Sequence, residues 1–305
     1  MGLDVETTRY LIADSEKAIR GKSVLTIARQ TLQMGESELV ALLKDFNISS
    51  DVIPDIDWGG KRRPYADPLF SYLGASSISS MDYSDYEGAD MIHDLNNPIP
   101  NEWKKRFDFV CESGSLEHIF NFPEAVKNCM EMVKVGGYFT WAGPANNFFG
   151  HGFYQFSPEL MYRILSRENG YEVNRVIAVE YDSGRRWYRV YDPAEKHDRI
   201  KLISKRQIGV IVTAKRISEE LIFRSNPQQS DYLAEWDENE ERKMRAEKKR
   251  RSSKLRALKD YLIRNHPRLA LIGRTMQSSG LNLDYSFRNP KSFIPIDKPK
   301  VIGHW

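Results

Sequence analysis

The sequence predicts an α/β protein built on a mostly parallel sheet. Three observations predict it. Short β-branched runs alternate with longer helical patterns through roughly the first two thirds of the chain, the pattern of βαβ units. Two late apolar runs follow one another without a clear helix between them, which points to an antiparallel pair at one edge of the sheet. The chain has 305 residues, 41% hydrophobic and 29% charged, enough for one large domain plus an extension or for two small domains.

Each element follows in order. Residues 22–28, "KSVLTIA", form a strand candidate, and 36–46, "ESELVALLKDF", carry helical spacing. "SSISSMDYS" (76–84) is a strand ending in Asp82, and "ADMIHDL" (89–95) a short one ending at Asp94. "FDFVCESGS" (107–115) is the strongest strand and leads into the helix "PEAVKNCMEMVK" (123–134). Gly136-Gly137 is expected to stop that helix before the strand "YFTWAGP" (138–144). "SPELMYRILSRENG" has a Ser cap, a proline in the first turn and a closing glycine, the punctuation of a helix. "YEVNRVIAVEY" and "RQIGVIVTAKR" are the two late strands.

After residue 217 the texture changes, dividing the chain into 1–217 and a charged helical extension with a Pro-rich tail, 218–305. From Glu241 to Lys259 there are ten Lys/Arg and two acids. This segment is a solvated helix face, or a basic surface for an acidic partner or lipid headgroups. Leu255, Leu258 and Leu262 make an apolar stripe on a helix expected over 231–264, suited to packing on the sheet domain or on a second subunit in a homo-oligomer.

Composition excludes several classes. A net charge of +3 creates no global field that calls for nucleic acid or membrane. Cys111 and Cys129 are the only cysteines; without metal-ligand spacing they fit a reducing cytoplasm, and no metal is expected. The amino-terminal segment has no basic start followed by an apolar run, so no signal peptide is read there. No apolar run approaches the ~20 residues of a membrane span.

In open α/β sheets ligands bind outside the carboxyl ends of the strands. Those ends carry Arg29-Gln30, Asp82, Asp94-Leu95, Ser113-Gly114 and Asn146-Asn147. An acid after the second strand can accept from two ribose hydroxyls, and one after the third can receive an adenine amino group. Each also serves elsewhere as a turn former.

The run "FDFVCESGSLEHIFNFPEAVKNCMEMVKVGGYFTWAGPAN" resembles the class I S-adenosylmethionine-dependent methyltransferases: fourth strand, "LEH" turn, helix, Gly-Gly turn and fifth strand. "NNFFGHGFYQFSPEL" resembles a subgroup found with bacterial surface-polysaccharide genes. The resemblance covers residues 20–215. It implies a Rossmann-like, mostly parallel seven-stranded sheet with helices on both faces, S-adenosylmethionine as cofactor, and O-methylation of a sugar or polysaccharide intermediate, nucleotide-linked forms included. It places the cofactor at Ala28, Arg29, Gln30, Asp82, Asp94, Leu95, Ser113 and Gly114.

The first loop departs from that family. Thr26 stands where the acid belongs, and Ala28, Gln30 and Leu32 stand near the glycine positions, where a Cβ hinders close backbone approach. Either the loop takes a wider path and Arg29 or Gln30 meets the cofactor's carboxylate, or cofactor binding has been lost.

His151, between two glycines after the fifth strand, is the candidate general base, with His118 as its rival. Glu117, Asn146, Asn147, Tyr154 and Gln155 supply donors and acceptors for a sugar. Phe148, Phe149, Phe153 and Phe156 either stack on the acceptor or close the core. Two other functions stand beside this one: a non-catalytic relative that binds or assembles, and methylation of another small molecule. Nucleic-acid methylation is disfavoured by the near-neutral charge and by the lack of an acidic-Pro-Pro-aromatic motif.

Overall fold

The computed structural model describes residues 2–49, 56–181, 184–196, 199–236, 261 and 283–303. Most of the helix expected over 231–264, with Leu255, Leu258, Leu262 and the basic run 241–259, lies outside them.

The strands are β1 (Gly2–Leu3), β2 (Ser23–Ile27), β3 (Thr31–Leu32), β4 (Ser77–Asp82), β5 (Met91–Ile92), β6 (Phe107–Ser113), β7 (Val133–Asn146), β8 (Tyr171–Tyr181), β9 (Arg186–Val190), β10 (Gln207–Arg216) and β11 (Phe293–Ile296). The helices are α1 (Val5–Ala18), α2 (Glu36–Asp45), α3 (Asp67–Tyr72), α4 (Phe122–Met132), α5 (Pro158–Ile164), α6 (Pro193–Lys196) and α7 (Ser230–Trp236).

One sheet of nine strands runs β11-β9-β8-β10-β7-β6-β2-β4-β5. From β7 to β5 every pairing is parallel; from β7 to β11 every pairing is antiparallel. The expected seven-stranded, mostly parallel sheet is therefore corrected to nine strands and a mixed sheet. Strand β9 escaped notice because arginines interrupt its alternation. Strand β11 contains Pro295, which is tolerated because the strand lies at an edge.

Alternation along the central strands feeds both faces. Val24, Phe109 and Cys111 point to a core shared with α1, α2 and α3. Leu25, Val110, Phe139 and Trp141 point to the opposite core, shared with α4 and α5. Ser157 caps α5 by accepting from the Leu160 amide, with Pro158 in the first turn, as the spacing predicts.

Helix α1 was not legible, because charged residues are buried beside its apolar Tyr10, Leu11 and Ile12. Glu6, Arg9 and Asp14 are all buried and all paired. Trp187 Nε1 donates to Glu6 at 2.5 Å, Arg9 meets Asp45 at 2.5 Å and Arg175 meets Asp14 at 2.9 Å. The tail returns to the same helix: Lys298 lies 3.1 Å from Glu6, and the Gly303 amide donates to the Ala13 carbonyl. Among the described residues no helix is long and apolar enough to cross a membrane.

The glycine pair does not act as expected. Helix α4 ends at Met132 and β7 starts at once. The pairing with β6 slips between Phe107 and Phe109, so residues 134–137 bow out of register inside β7. Gly136 takes φ +88° in that excursion, and Gly137 sits where a Cβ would meet the Asp108 carbonyl at 2.6 Å. Gly137→Ala is therefore expected to cost about 1–3 kcal/mol through overpacking against backbone, read as a lower urea midpoint. An unchanged midpoint would show that the excursion relaxes freely.

Candidate functional site

The site grows from the carboxyl end of β6. Glu112, fully buried, turns its carboxylate back onto the chain and accepts from the amides of Ser115 and Leu116. Gly114 takes φ +79° between them, a conformation glycine adopts without strain. This turn delivers the short helical segment Leu116–His118.

A second loop, from the end of β7, is fastened onto that segment. The amides of Phe153 and Tyr154 both donate to the Glu117 carbonyl, at 2.7 and 3.3 Å. Gly152, at φ +69°, presses so closely that a Cβ would stand 2.7 Å from the same carbonyl oxygen. His151 is thereby held over the Glu117 carboxylate, with Nε2 3.3 Å from Oε1. The rings of His118 and His151 meet edge to face at 5.0 Å. Glu117, 1% exposed, and His151 line a cavity of about 130 Å³ together with Gly2, Ser113 and Tyr181.

Charges are compressed here. Burial pushes the Glu112 carboxyl well above the usual range, and the neighbouring Glu117 adds to the rise. Burial also raises Glu117, against the lowering pull of His151. Partial burial, with His151 beside it, lowers His118. The two histidines expected as rivals thus stand in one cluster with Glu117. Their ring and carboxylate donor atoms all lie within 4.8 Å of one another. Sequence spacing gave no hint of a metal-ligand set, because the donors come from two loops after different strands.

Several expected acceptor contacts hold the loop instead. The Asn147 amide group donates to the carbonyls of Ser204 and Arg206, Gln155 Oε1 accepts from the Phe148 amide, and the Tyr154 hydroxyl donates to the Phe120 carbonyl. Asn146 Oδ1 accepts from the Asn147 amide. Of the four phenylalanines, Phe156 is in the core while Phe149 is fully exposed and Phe153 largely so. Phe153 meets the exposed Phe120 edge to face at 5.8 Å.

The loop after β2 resolves into a closed turn. Ala28 adopts φ +55° despite its Cβ. Gln30 is 1% exposed, and its amide group donates to the Ile27 carbonyl at 2.5 Å. Gln30 Oε1 has no partner. Strand β3 pairs with β1, and the Ser113 hydroxyl donates to the Gly2 carbonyl.

Two of the residues expected at the cofactor are engaged by other partners. Arg29 does not face the crevice as a free carboxylate receptor. It stacks on Tyr65 at 4.0 Å, donates to the Glu87 carbonyl and lies 3.5 Å from Asp67. Asp94 is used as a turn former, accepting from Asn96 and Asn97, which holds its carboxyl below the usual value. Leu95 belongs to the core. Asp82 stays at the β4 end, with one oxygen accepting from the Tyr83 amide. Sequence inspection missed β1 and Tyr181, because two residues and a distant tyrosine leave no pattern.

No protein-family model and no curated protein matches the chain. Solved structures do resemble it. The Burkholderia thailandensis 1,6-didemethyltoxoflavin N1-methyltransferase, with bound S-adenosylhomocysteine, is 10% identical over 70% of this chain and 78% of its own, at a TM-score of 0.40. YcgJ from Bacillus subtilis is 11% identical over 68% of this chain and 98% of its own, at 0.37. The branched-chain polyamine synthase of Thermus thermophilus is 12% identical over 74% of this chain and 61% of its own, at 0.35.

The buried carboxyl of Glu112 makes stability depend on pH with a definite sign. Folding raises its affinity for the proton, so its contribution is fully present below the unfolded carboxyl value of about 4.3. That contribution is lost as pH rises above this value toward the folded one. Glu112→Gln removes the loss. The melting temperature of the parent protein should fall relative to that of the variant as pH is raised from about 4.3 to 8. Parallel profiles would mean that Glu112 is ionised in the fold throughout.

Proposed function

We propose that the chain is an S-adenosylmethionine-dependent methyltransferase acting on a hydroxyl of a carbohydrate-type acceptor. One observation carries the methyltransferase part of this reading: the order of the sheet. Strands β5-β4-β2-β6-β7-β10-β8 stand side by side, with β10 reversed between β7 and β8. That is the arrangement of the class I methyltransferases, and the 107–145 block that resembles them falls on β6, α4 and β7. The chain leaves β2 toward β4 on one side and returns to β6 on the other. This makes the β2–β6 gap the switch point where such sheets bind ligands.

Part of the expected set at the switch point suits the cofactor: Asp82, Gln30 and Gly114. The second oxygen of Asp82 is open at the β4 end for ribose hydroxyls. Gln30 Oε1 is a buried acceptor without a donor, and an amino group would supply one. Gly114 leaves backbone close to the crevice. When bound, the cofactor supplies an electrophilic methyl group. The protein's part is to align the acceptor and remove its proton. The acceptor hydroxyl sits against Glu117, His118 and His151, where the proton leaves. Phe120 and Phe153, exposed beside that cluster, offer faces on which a sugar ring can stack.

The closed turn at Ala28–Leu32, with Arg29 engaged elsewhere, favours a second reading: a non-catalytic relative. Calorimetry and thermal unfolding with S-adenosylmethionine and S-adenosylhomocysteine separate the two. A binder should gain about 2.7 kcal/mol at a ligand concentration of 100 times Kd. No heat and no shift with either compound would leave the non-catalytic reading. In the enzyme, His151→Ala should lower turnover by ~10²–10⁴ with cofactor affinity nearly intact, measured by mass detection of methyl gain on candidate nucleotide-sugars.

A further inference from the structure

We infer that Glu117, His118 and His151 form a binding site for a first-row divalent transition ion of the Zn²⁺ type. Two imidazoles and one carboxylate are a recurrent donor set for such ions, leaving positions open for a further ligand. Geometry supports it. Metal–ligand bonds near 2.1 Å place two donors on one ion about 3.0–3.4 Å apart, and His151 Nε2 already stands 3.3 Å from Glu117 Oε1. The His118 donor lies within 4.8 Å of both. His118 is exposed, so its side chain is free to swing the remaining distance.

A second observation is independent of the cluster's shape. Glu117 is 1% exposed, lines the cavity and leaves Oε2 without any hydrogen-bond partner. Next to it Glu112 is fully buried, and its Oε2 also lacks a partner. Among the described residues no Lys or Arg pairs with either acid. A buried carboxyl oxygen left without a partner is costly, and a divalent ion held by Glu117 would satisfy it. The scaffold is fixed for this role, since the Glu117 carbonyl anchors the loop that carries His151.

The inference goes beyond methyl transfer and does not need it. If both hold, the ion's open positions take oxygens of the acceptor, and the ion lowers the pKa of the hydroxyl that is to lose its proton.

The test uses the full chain without a histidine tag, stripped with a chelator. Titration with Co²⁺ should produce visible absorption bands, and calorimetry with Zn²⁺ should show one site per chain, with Mg²⁺ much weaker. His118→Ala, His151→Ala and Glu117→Gln should each weaken Zn²⁺ by about 10–100-fold or more. His93→Ala should leave affinity unchanged. Glu117 is buried and its variant could unfold, so the double variant His118→Ala/His151→Ala, altered only at exposed side chains, decides. Absence of Co²⁺ bands and Zn²⁺ heat in the parent protein would overturn the inference, as would undiminished affinity in a folded double variant. Cofactor affinity measured on the same preparation is a separate readout, so loss of the methyltransferase reading would leave the ion site standing.

Discussion

The carboxyl edge of the sheet depends on one interaction: the buried Glu112 carboxylate folding the chain back on itself. By accepting from the Ser115 and Leu116 amides, it ends β6 and aims the next three residues across the crevice. Glu117 then repeats the device with its carbonyl, which gathers the loop after β7. Two loops remote in sequence are thus registered by backbone hydrogen bonds rather than by side-chain packing. A hydrogen bond to a charged or buried group contributes more than an exposed one. An error of one residue in either loop would leave a buried carboxylate without donors.

That construction explains which parts of the molecule were legible. Strands β2, β4, β6, β7, β8 and β10 announce themselves by β-branched or aromatic runs, and α2, α4 and α5 by spacing and caps. The sheet's antiparallel half was underestimated, because β9 carries arginines and β11 a proline. Helix α1 was missed because Glu6, Arg9 and Asp14 look like solvent residues until their partners are seen. At the site, His118 and His151 were singled out from their positions after strands, and the structure sets their rings 5.0 Å apart. Their meeting with Glu117 was not legible, since only the folded loops bring donor atoms from β6 and β7 together. The side chains of Asn147, Tyr154 and Gln155, expected at the acceptor, bond to backbone groups, since polar residues in a long loop must first satisfy backbone.

The loop after β2 shows how a tight turn is built without glycine. A turn usually entrusted to glycine is made here by Ala28 in the left-handed region. Strain of order 1–3 kcal/mol at such a residue persists only where the surroundings over-determine it. The surroundings here are dense: the Ala28 amide donates to Met81, Ala66 donates to Gln30, and β1 pairs with β3. Rigidity replaces adaptability at this point. Any ligand at the switch point must therefore fit a preformed wall, in contrast to the cluster on the other side, where the His118 side chain is exposed.

The tail contacts on α1 bear on how the chain is made. Strand β11 completes the sheet's edge beside β9, and Lys298 supplies a cation to Glu6, nearly three hundred residues earlier in the chain. During synthesis α1 emerges long before the lysine that pairs with it. Until then Glu6 relies on Trp187 and the more distant Arg185, and the β9 edge stays unpaired, a template for association with other chains. In the nascent chain that edge is therefore open until β11 has been made, a period in which unpaired strand edges favour association.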